Sequence, residues 1–378
     1  WDKTVAENIF VLCKTPMAVK ITRRTLGGFR GQSHVNARHF PDLIQTLKTA
    51  RARFLEQIVD KNFWSKGVGK MFFDAVVGNP PYQIVGSGDN KNFASPIYHE
   101  FIRISYNEKL TKRASLIHPA RFLSNAGAIP GDFAEKFLQD KHVKVVKHFI
   151  KSQEVFPTSD IKGGVAITFF DAEQTFEPIK LYIPFDELIA IHQKVCLDNP
   201  NFRPFSDIIS TPIAYKFTEK FFSERPELIC KLQKSNDSAL RSNIFERLPE
   251  IFLDEKPDDG HEYIQIYGLT GRQRVFKWVR RDLIHAPGLL EKWKVFVPES
   301  NSAGALGEVV STPLVGSPLV GYTQTFIGVG AFDTRAEAEA CLAYIKGKFC
   351  RAMLGILKVT QHNPPQTWAK VPLQDFTA

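Results

Sequence analysis

The sequence predicts an α/β fold, half of a doubly wound sheet over residues 1–234, followed by a mixed, β-rich domain over residues 235–378. Three observations carry this. Helix-period and strand-like segments alternate between residues 96 and 150, the pattern of strands joined by covering helices. An apolar run over residues 71–77 stops abruptly at Gly78-Asn79-Pro80-Pro81-Tyr82. The last third changes to short apolar stretches separated by Gly, Pro and Ser, which suit short strands and turns.

In chain order, Val5, Ile9, Phe10 and Cys13 form an amphipathic pattern directly after Trp1. With no initiating Met, the sequence is expected to be cut from something longer. Leu43, Ile44, Leu47, Phe54, Leu55 and Ile58 give helical spacing over residues 42–60, and Met71-Phe72-Phe73-Asp74-Ala75-Val76-Val77 reads as a buried strand. Two consecutive prolines cannot extend a ladder or continue into a helix interior, so a rigid, non-repetitive loop must follow Gly78. Residues 96–106 and 132–138 read as helices, and 114–117 and 143–150 as strands. Residues 164–170 and 179–183 add two more strands, suited to the antiparallel edge of the sheet. Lys234-Ser235-Asn236-Asp237-Ser238 is the expected linker. Beyond it, residues 263–267, 295–298 and 325–329 are short strands, and 334–354 a helix packed through Ala338, Cys341, Leu342, Tyr344 and Ile345.

The chain has 378 residues and a net charge of +9, a mild lean toward polyanionic partners. Its 31 Phe must mostly fill cores, although some can stack on bases. Cys13, Cys196, Cys230, Cys341 and Cys350 contain no CxxC pair, so neither a metal site nor a disulfide framework is indicated. Reduced thiols and a cytoplasmic location are expected. The first residues lack the order of a signal peptide, and the uncharged stretch 309–332 is broken by Gly, Pro and polar residues, so no membrane role is expected.

Asn79-Pro80-Pro81-Tyr82 carries the most specific chemistry. An exocyclic amine conjugated with a purine ring is a poor nucleophile; methylating it requires acceptors that hold its hydrogens and favour a tetrahedral nitrogen. The Asn79 side-chain oxygen and the Pro80 carbonyl can supply two. Pro80 and Pro81 aim that carbonyl in advance, and Tyr82 can stack on the base. A tight turn after a strand is the alternative account of Gly-Asn-Pro-Pro alone.

With strand and Tyr in place, the sequence resembles the amino-methyltransferases with an Asn-Pro-Pro-Tyr motif, a group that also acts on protein glutamine and ribosomal RNA bases. Ser115-Leu116-Ile117-His118-Pro119-Ala120-Arg121-Phe122-Leu123, Val155-Phe156-Pro157 and Asp160-Ile161-Lys162-Gly163-Gly164-Val165 then resemble large bacterial restriction-modification adenine-N6 methylases of type II, gamma-class-like. Tyr344-Ile345-Lys346-Gly347-Lys348-Phe349-Cys350-Arg351 and Val371-Pro372-Leu373-Gln374-Asp375-Phe376 resemble the end of that family's target-recognition region. The resemblance implies a Rossmann-like methyltransferase sheet with its first strands missing, and a DNA-reading domain. It further implies S-adenosylmethionine as methyl donor, double-stranded DNA as partner, and an adenine flipped from the duplex.

By the same resemblance Phe156 contacts the flipped base opposite Tyr82; a core Phe before a turn is an equal account. His118 reads as a packing or hydrogen-bonding residue. The family's Gly-rich cofactor turn has no good match: Leu26-Gly27-Gly28-Phe29-Arg30-Gly31 lacks a preceding buried strand, and the main cofactor motif is expected upstream of this chain. Asp74 stands as a possible cofactor neighbour, or as a strand-end Asp satisfying local amides.

Arg272, Arg274, Lys277, Arg280, Arg281, Lys292 and Lys294, against Asp282 and Glu291, suggest a phosphate-facing strip interleaved with Phe276, Trp278 and Trp293, or else a solvated basic face. Pro257-Asp258-Asp259 with Glu262 lacks the carboxylate-x-lysine arrangement of a magnesium nuclease. Any restriction nuclease would be fused outside this chain or separate. Two functions follow: a site-specific DNA adenine methyltransferase, and a DNA-recognition fragment without activity because the cofactor motif is absent.

Overall fold

The computed structural model describes residues 1–28, 34–85, 94–124, 129–232, 237–301 and 306–377. It divides into two compact units, changing over between Leu181 and Tyr182 apart from a short segment beginning at Ser124.

In the first unit, α1 (Asp2–Asn8) gives way to β1 (Phe10–Cys13) because Ile9 is extended. The opening amphipathic pattern is therefore a helix and a strand rather than one helix. Strand β1 runs parallel to β2 (Asn36–His39), with α2 (Pro16–Gly27) as the crossover. Helix α2 starts where sequence rules place it: Thr15 Oγ1 accepts from the Ala18 amide at 3.1 Å, and Pro16 occupies the first turn. Buried Asn36 donates to the carbonyls of Ala6 (2.8 Å) and Ile9 (3.1 Å), tying the end of α1 to β2. Helices α3 (Leu43–Thr49) and α4 (Arg51–Ile58) bury Leu43, Leu47, Phe54 and Ile58 against Phe40, Ile104 and Leu110.

The main sheet has the order β3-β6-β8-β7, from β3 (Val76–Gly78), β6 (Arg113–Pro119), β7 (Val143–Phe149) and β8 (Val165–Asp171). Strands β3 and β6 are parallel, and β8 is antiparallel to both β6 and β7. Between β3 and β6 lie the ribbon of β4 (Gln83–Val85) and β5 (Ala94–Pro96) and helix α5 (Tyr98–Ser105); α6 (Gly131–Gln139) precedes β7. The predicted alternation and antiparallel member are present. Two expectations are corrected. Residues 179–183 form no strand. The strand expected over 71–77 is only three residues long and is not buried: Val77 is 79% exposed and Phe72 68%, and among the described residues β3 has a strand neighbour on one side only.

A buried polar chain crosses this sheet. His118 Nδ1 donates to Pro119 O (3.1 Å), so Nε2 accepts from Thr168 Oγ1 (2.7 Å), which in turn accepts from the Tyr106 hydroxyl. Full burial pulls the imidazole down to about 4, keeping it neutral. An unfolded His titrates near 6.5, so the unfolded chain binds the extra proton first, and stability is lost as pH falls from about 6.5 towards 4. The loss reaches about 3 kcal/mol. Denaturant titrations at several pH values should show it, and His118→Asn should flatten the slope; an unchanged slope would contradict a neutral buried imidazole.

The second unit contains α7 (Asp186–His192), β9 (Ile209–Ser210), β10 (Lys216–Phe217), α8 (Glu219–Glu224) and α9 (Ile244–Arg247). Then come β11 (Tyr263–Thr270), β12 (Gln273–Arg280), β13 (Ile284–His285), β14 (Trp293–Pro298), β15 (Leu314–Gly316), β16 (Val320–Tyr322) and β17 (Phe326–Phe332). They form sheets ordered β12-β11-β16 and β15-β14-β17-β9, and a β10-β13 pair. Strands β11 and β12 form a hairpin closed by Gly271-Arg272, where Gly271 takes φ +59°. The C-terminal helix is two helices, α10 (Arg335–Lys346), opened by a Thr334/Glu337 capping box, and α11 (Lys348–Leu354). The extended backbone of Gly347 separates them.

Tyr215, Phe217, Phe221, Leu228 and Leu232 share one core with Ile264, Ile266, Phe296 and Tyr322. Residues before 234 are thus built into the second unit, and the division falls earlier than the sequence suggested, because their aromatic side chains outweigh the polar linker signal; of that linker, 234–236 lie outside the described residues. No helix among the described residues is long and apolar enough to cross a membrane.

Candidate active site

The loop 79–82 projects from the end of β3, where Gly78 pairs with Leu116 of β6. Asn79 is exposed, Pro80 buried and Pro81 half-buried. The loop is held at its far end by the Tyr82 carbonyl, which accepts from the Ile97 amide at 3.1 Å. The Tyr82 hydroxyl is buried with no hydrogen-bond partner among the described residues, and burial pushes it up to about 12. Its ring meets Phe156 edge-on, with centroids 6.3 Å apart, and Tyr98 edge-on at 6.4 Å. Tyr82 and Phe156, far apart in sequence, are therefore neighbours in space.

Phe156 sits in a loop organised by Ser152, which is 1% exposed. Ser152 Oγ donates to Ser159 O (2.7 Å) and accepts from the Ile161 amide (2.9 Å), while its carbonyl accepts from the Phe156 amide (2.8 Å). Gly163 and Gly164 close the loop with φ of +79° and +73°; a Cβ on Gly164 would lie 2.1 Å from Phe149 O. At Gly163 the obstruction would be Arg121 Cβ, at 2.9 Å, so Arg121 packs directly on the loop.

The loop 79–82, Tyr98, Arg121 and Phe156 line a cleft of about 1570 Å³. One wall is β1 and Lys14, another β3 and the loop 79–82, and a third Tyr98, Pro119, Arg121, Phe156 and residues 159–162. Among the described residues β1 pairs only with β2 and β3 only with β6, and residues of both strands line the same cleft. Asp74 is exposed and lies off the lining, between Phe73 and Ala75 which belong to it. The cleft has room for a nucleoside-sized group, but no glycine turn after a buried strand is found among its described lining residues. Leu26 and Gly27 instead close α2, and residues 29–31 of the sequence segment lie outside the described residues.

The basic residues of the second unit do not gather into one strip. Arg272, Arg274, Lys277, Arg280 and Arg281 lie on β12 and its ends, whereas Lys292 and Lys294 belong to the start of β14 in another sheet. Arg272 occupies the exposed hairpin turn. Arg274 donates to Thr312 O (2.7 Å) and lies over the Phe326 ring. Lys277 pairs with Asp254, Arg280 with Asp282 (2.7 Å) and Glu224 (3.0 Å), Arg281 with Glu291 and Lys292 with Asp333. Lys294 corrects the expectation outright. It is fully buried, donates to Leu290 O and Val320 O at 3.0 Å each, and desolvation pulls it down to about 7. It serves the interior, where no phosphate reaches. Phe276 stacks on Tyr267, with centroids 4.7 Å apart. Among the described residues no group of His, Cys, Asp or Glu is placed to hold a metal ion.

The first unit is thus an α/β unit in which the loop after β3 carries Asn79 and Pro80 beside the rings of Tyr82 and Phe156. Residues 7–156, which include Asn79, Tyr82 and Phe156, match the family described as Eco57I restriction-modification methylase. Over 106 residues, 28% of the chain, the sequence is 33% identical to an uncharacterized adenine-specific methylase of Mycoplasma pneumoniae (strain ATCC 29342 / M129 / Subtype 1). The type IIL restriction-modification enzyme MmeI, whose structure was solved in complex with DNA, aligns over 90% of this chain with 8% identity and a TM-score of 0.37. The match spans 25% of the Mycoplasma protein's length and 49% of the MmeI chain. The resemblance to restriction-modification adenine methylases is borne out by the family match and the Mycoplasma relative.

Tyr98 and Arg121 were not singled out from sequence. Arg121 had a signal, a basic residue just past a strand end, but only the fold brings it to the cleft. The geometry predicts that Ser152→Ala, which strips two hydrogen bonds from a buried site, costs about 1–3 kcal/mol. Ile161 amide exchange should accelerate well before global unfolding; unchanged exchange at Ile161 would show that Ser152 does not hold the Phe156 loop.

Proposed function

We propose that the parent protein is a site-specific DNA adenine-N6 methyltransferase of a restriction-modification system, and that the cleft of the first unit receives the acceptor adenine. The observation that carries this is the rigid Asn79-Pro80-Pro81-Tyr82 loop at the end of β3, with Tyr82 beside Phe156. Asn79 Oδ1 and Pro80 O accept the two hydrogens of the amine, drawing its lone pair out of conjugation as the methyl arrives. Tyr82 and Phe156 hold the ring of a base turned out of the duplex. S-adenosylmethionine supplies the methyl group when bound.

The donor's main binding motif, on this reading, lies in sequence upstream that also completes the sheet between β1 and β3. What supports this is that β1 and β3, each with one strand neighbour among the described residues, line one cleft. The second unit is proposed as the target-recognition domain, with Arg272, Arg274, Lys277, Arg280, Arg281 and Lys292 as phosphate contacts. A restriction nuclease is either fused elsewhere or separate. The same pairing favours a second reading for the isolated chain, a DNA-recognition fragment that does not methylate; calorimetry with S-adenosylmethionine separates the two.

In the parent protein, Asn79→Ala should lower kcat at least a hundredfold, the scale of removing one transition-state acceptor, while DNA affinity stays within a few-fold of wild type. Retained turnover would remove Asn79 from the site.

A further inference from the structure

Arg121 is, with Lys14 and Lys162, one of three cations lining the cleft that the proposed chemistry leaves unused. It follows β6 in the turn at the sheet's C-terminal end and lines the cleft with Tyr82 and Phe156. It packs closely on the loop opposite, where a Cβ added at Gly163 would lie 2.9 Å from Arg121 Cβ. The other cation on this side, Lys162, is neutralised by Asp160 at 2.8 Å. Among the described residues Arg121 forms no ion pair. Its polar neighbour is the hydroxyl of Tyr98, a residue 1% exposed, and the guanidinium offsets part of the rise that burial imposes on that hydroxyl. A guanidinium cannot discharge by losing a proton. Held in a cleft that a ligand would close, it requires an anion, or it becomes an unpaired buried charge.

We propose that Arg121 is an anion-binding residue of the cleft that takes the backbone phosphate flanking the acceptor nucleotide. The inference rests on reading the cleft as the acceptor site. Adenine itself is neutral, and its amine hydrogens are already matched by Asn79 and Pro80, so the negative charge closest to the base is its own phosphodiester. The planar fork suits a phosphate bidentately. Arg121 would then fix where along the strand a base can enter, a positioning role that carries no sequence information.

The test is a salt titration of binding to two short oligothymidylates, one with a single central adenine and one with an abasic site there. Both keep the phosphate, and only the first keeps the base. Arg121→Gln, which retains the packing on Gly163, should bind both about tenfold more weakly at low salt, with the slope of log K against log salt shallower by about 0.7. Arg121→Lys should keep the wild-type slope with reduced affinity, and Tyr82→Ala should lose the preference for adenine while keeping the slope. A wild-type slope in Arg121→Gln overturns the proposal. So does an unchanged slope accompanied by weaker S-adenosylmethionine binding in calorimetry, which would give Arg121 to the donor's carboxylate. If wild type shows no preference for adenine over the abasic site, the acceptor reading itself fails, and that result is read independently of the slope.

Discussion

Two adjacent prolines at the end of a parallel strand leave the backbone no ladder to extend and no helix to enter, and the candidate site depends on that constraint. Strand β3 contributes only three residues, paired with β6 through Val76, Val77 and Gly78. The loop beyond is fixed by its own chemistry at Pro80 and Pro81, and by one backbone bond from Ile97 to Tyr82. Everything opposite it is braced separately. Ser152, Gly163 and Gly164 shape the loop that carries Phe156, and the neutral His118 chain ties β6 to β8 beneath. Tyr82 and Phe156 are thus held by separate hydrogen-bonded elements, an arrangement that would preorganise the proposed acceptor site.

Much of the first unit was legible in the sequence because its periodicities are strong. Helices α3 to α6, strands β6 to β8 and the loop 79–82 fall close to their expected places. The misses have local causes. Residues 71–77 are apolar enough for a buried strand, yet Phe72 and Val77 are exposed, and among the described residues β3 is paired on one side only. Ile9, in an extended conformation, divides a pattern that spacing alone reads as one helix. The unit boundary moved because Tyr215, Phe217 and Phe221 join a core whose other half lies a long way on in sequence.

The site was legible only in part. The loop motif announces itself, whereas Tyr98 and Arg121 acquire meaning only where α5 and the end of β6 meet the cleft. Charge counting served less well. A run of Arg and Lys on paper becomes, in the second unit, a set of ion pairs with Glu224, Asp254, Asp282, Glu291 and Asp333, and Lys294 turns inward to satisfy two carbonyls. Exposed pairs of this kind contribute little stability, so their partners can exchange for phosphates at small cost, and a paired arginine is not thereby excluded from nucleic acid.

The proposed site requires that an adenine enter the cleft of the first unit. Photo-crosslinking an oligonucleotide that carries 8-azidoadenine at one position, followed by peptide mapping, tests this directly. Adducts at Tyr82, or in the loop from Ser152 to Lys162, are the predicted result; adducts confined to residues after Tyr182 would contradict it and leave the cleft of the first unit without its base.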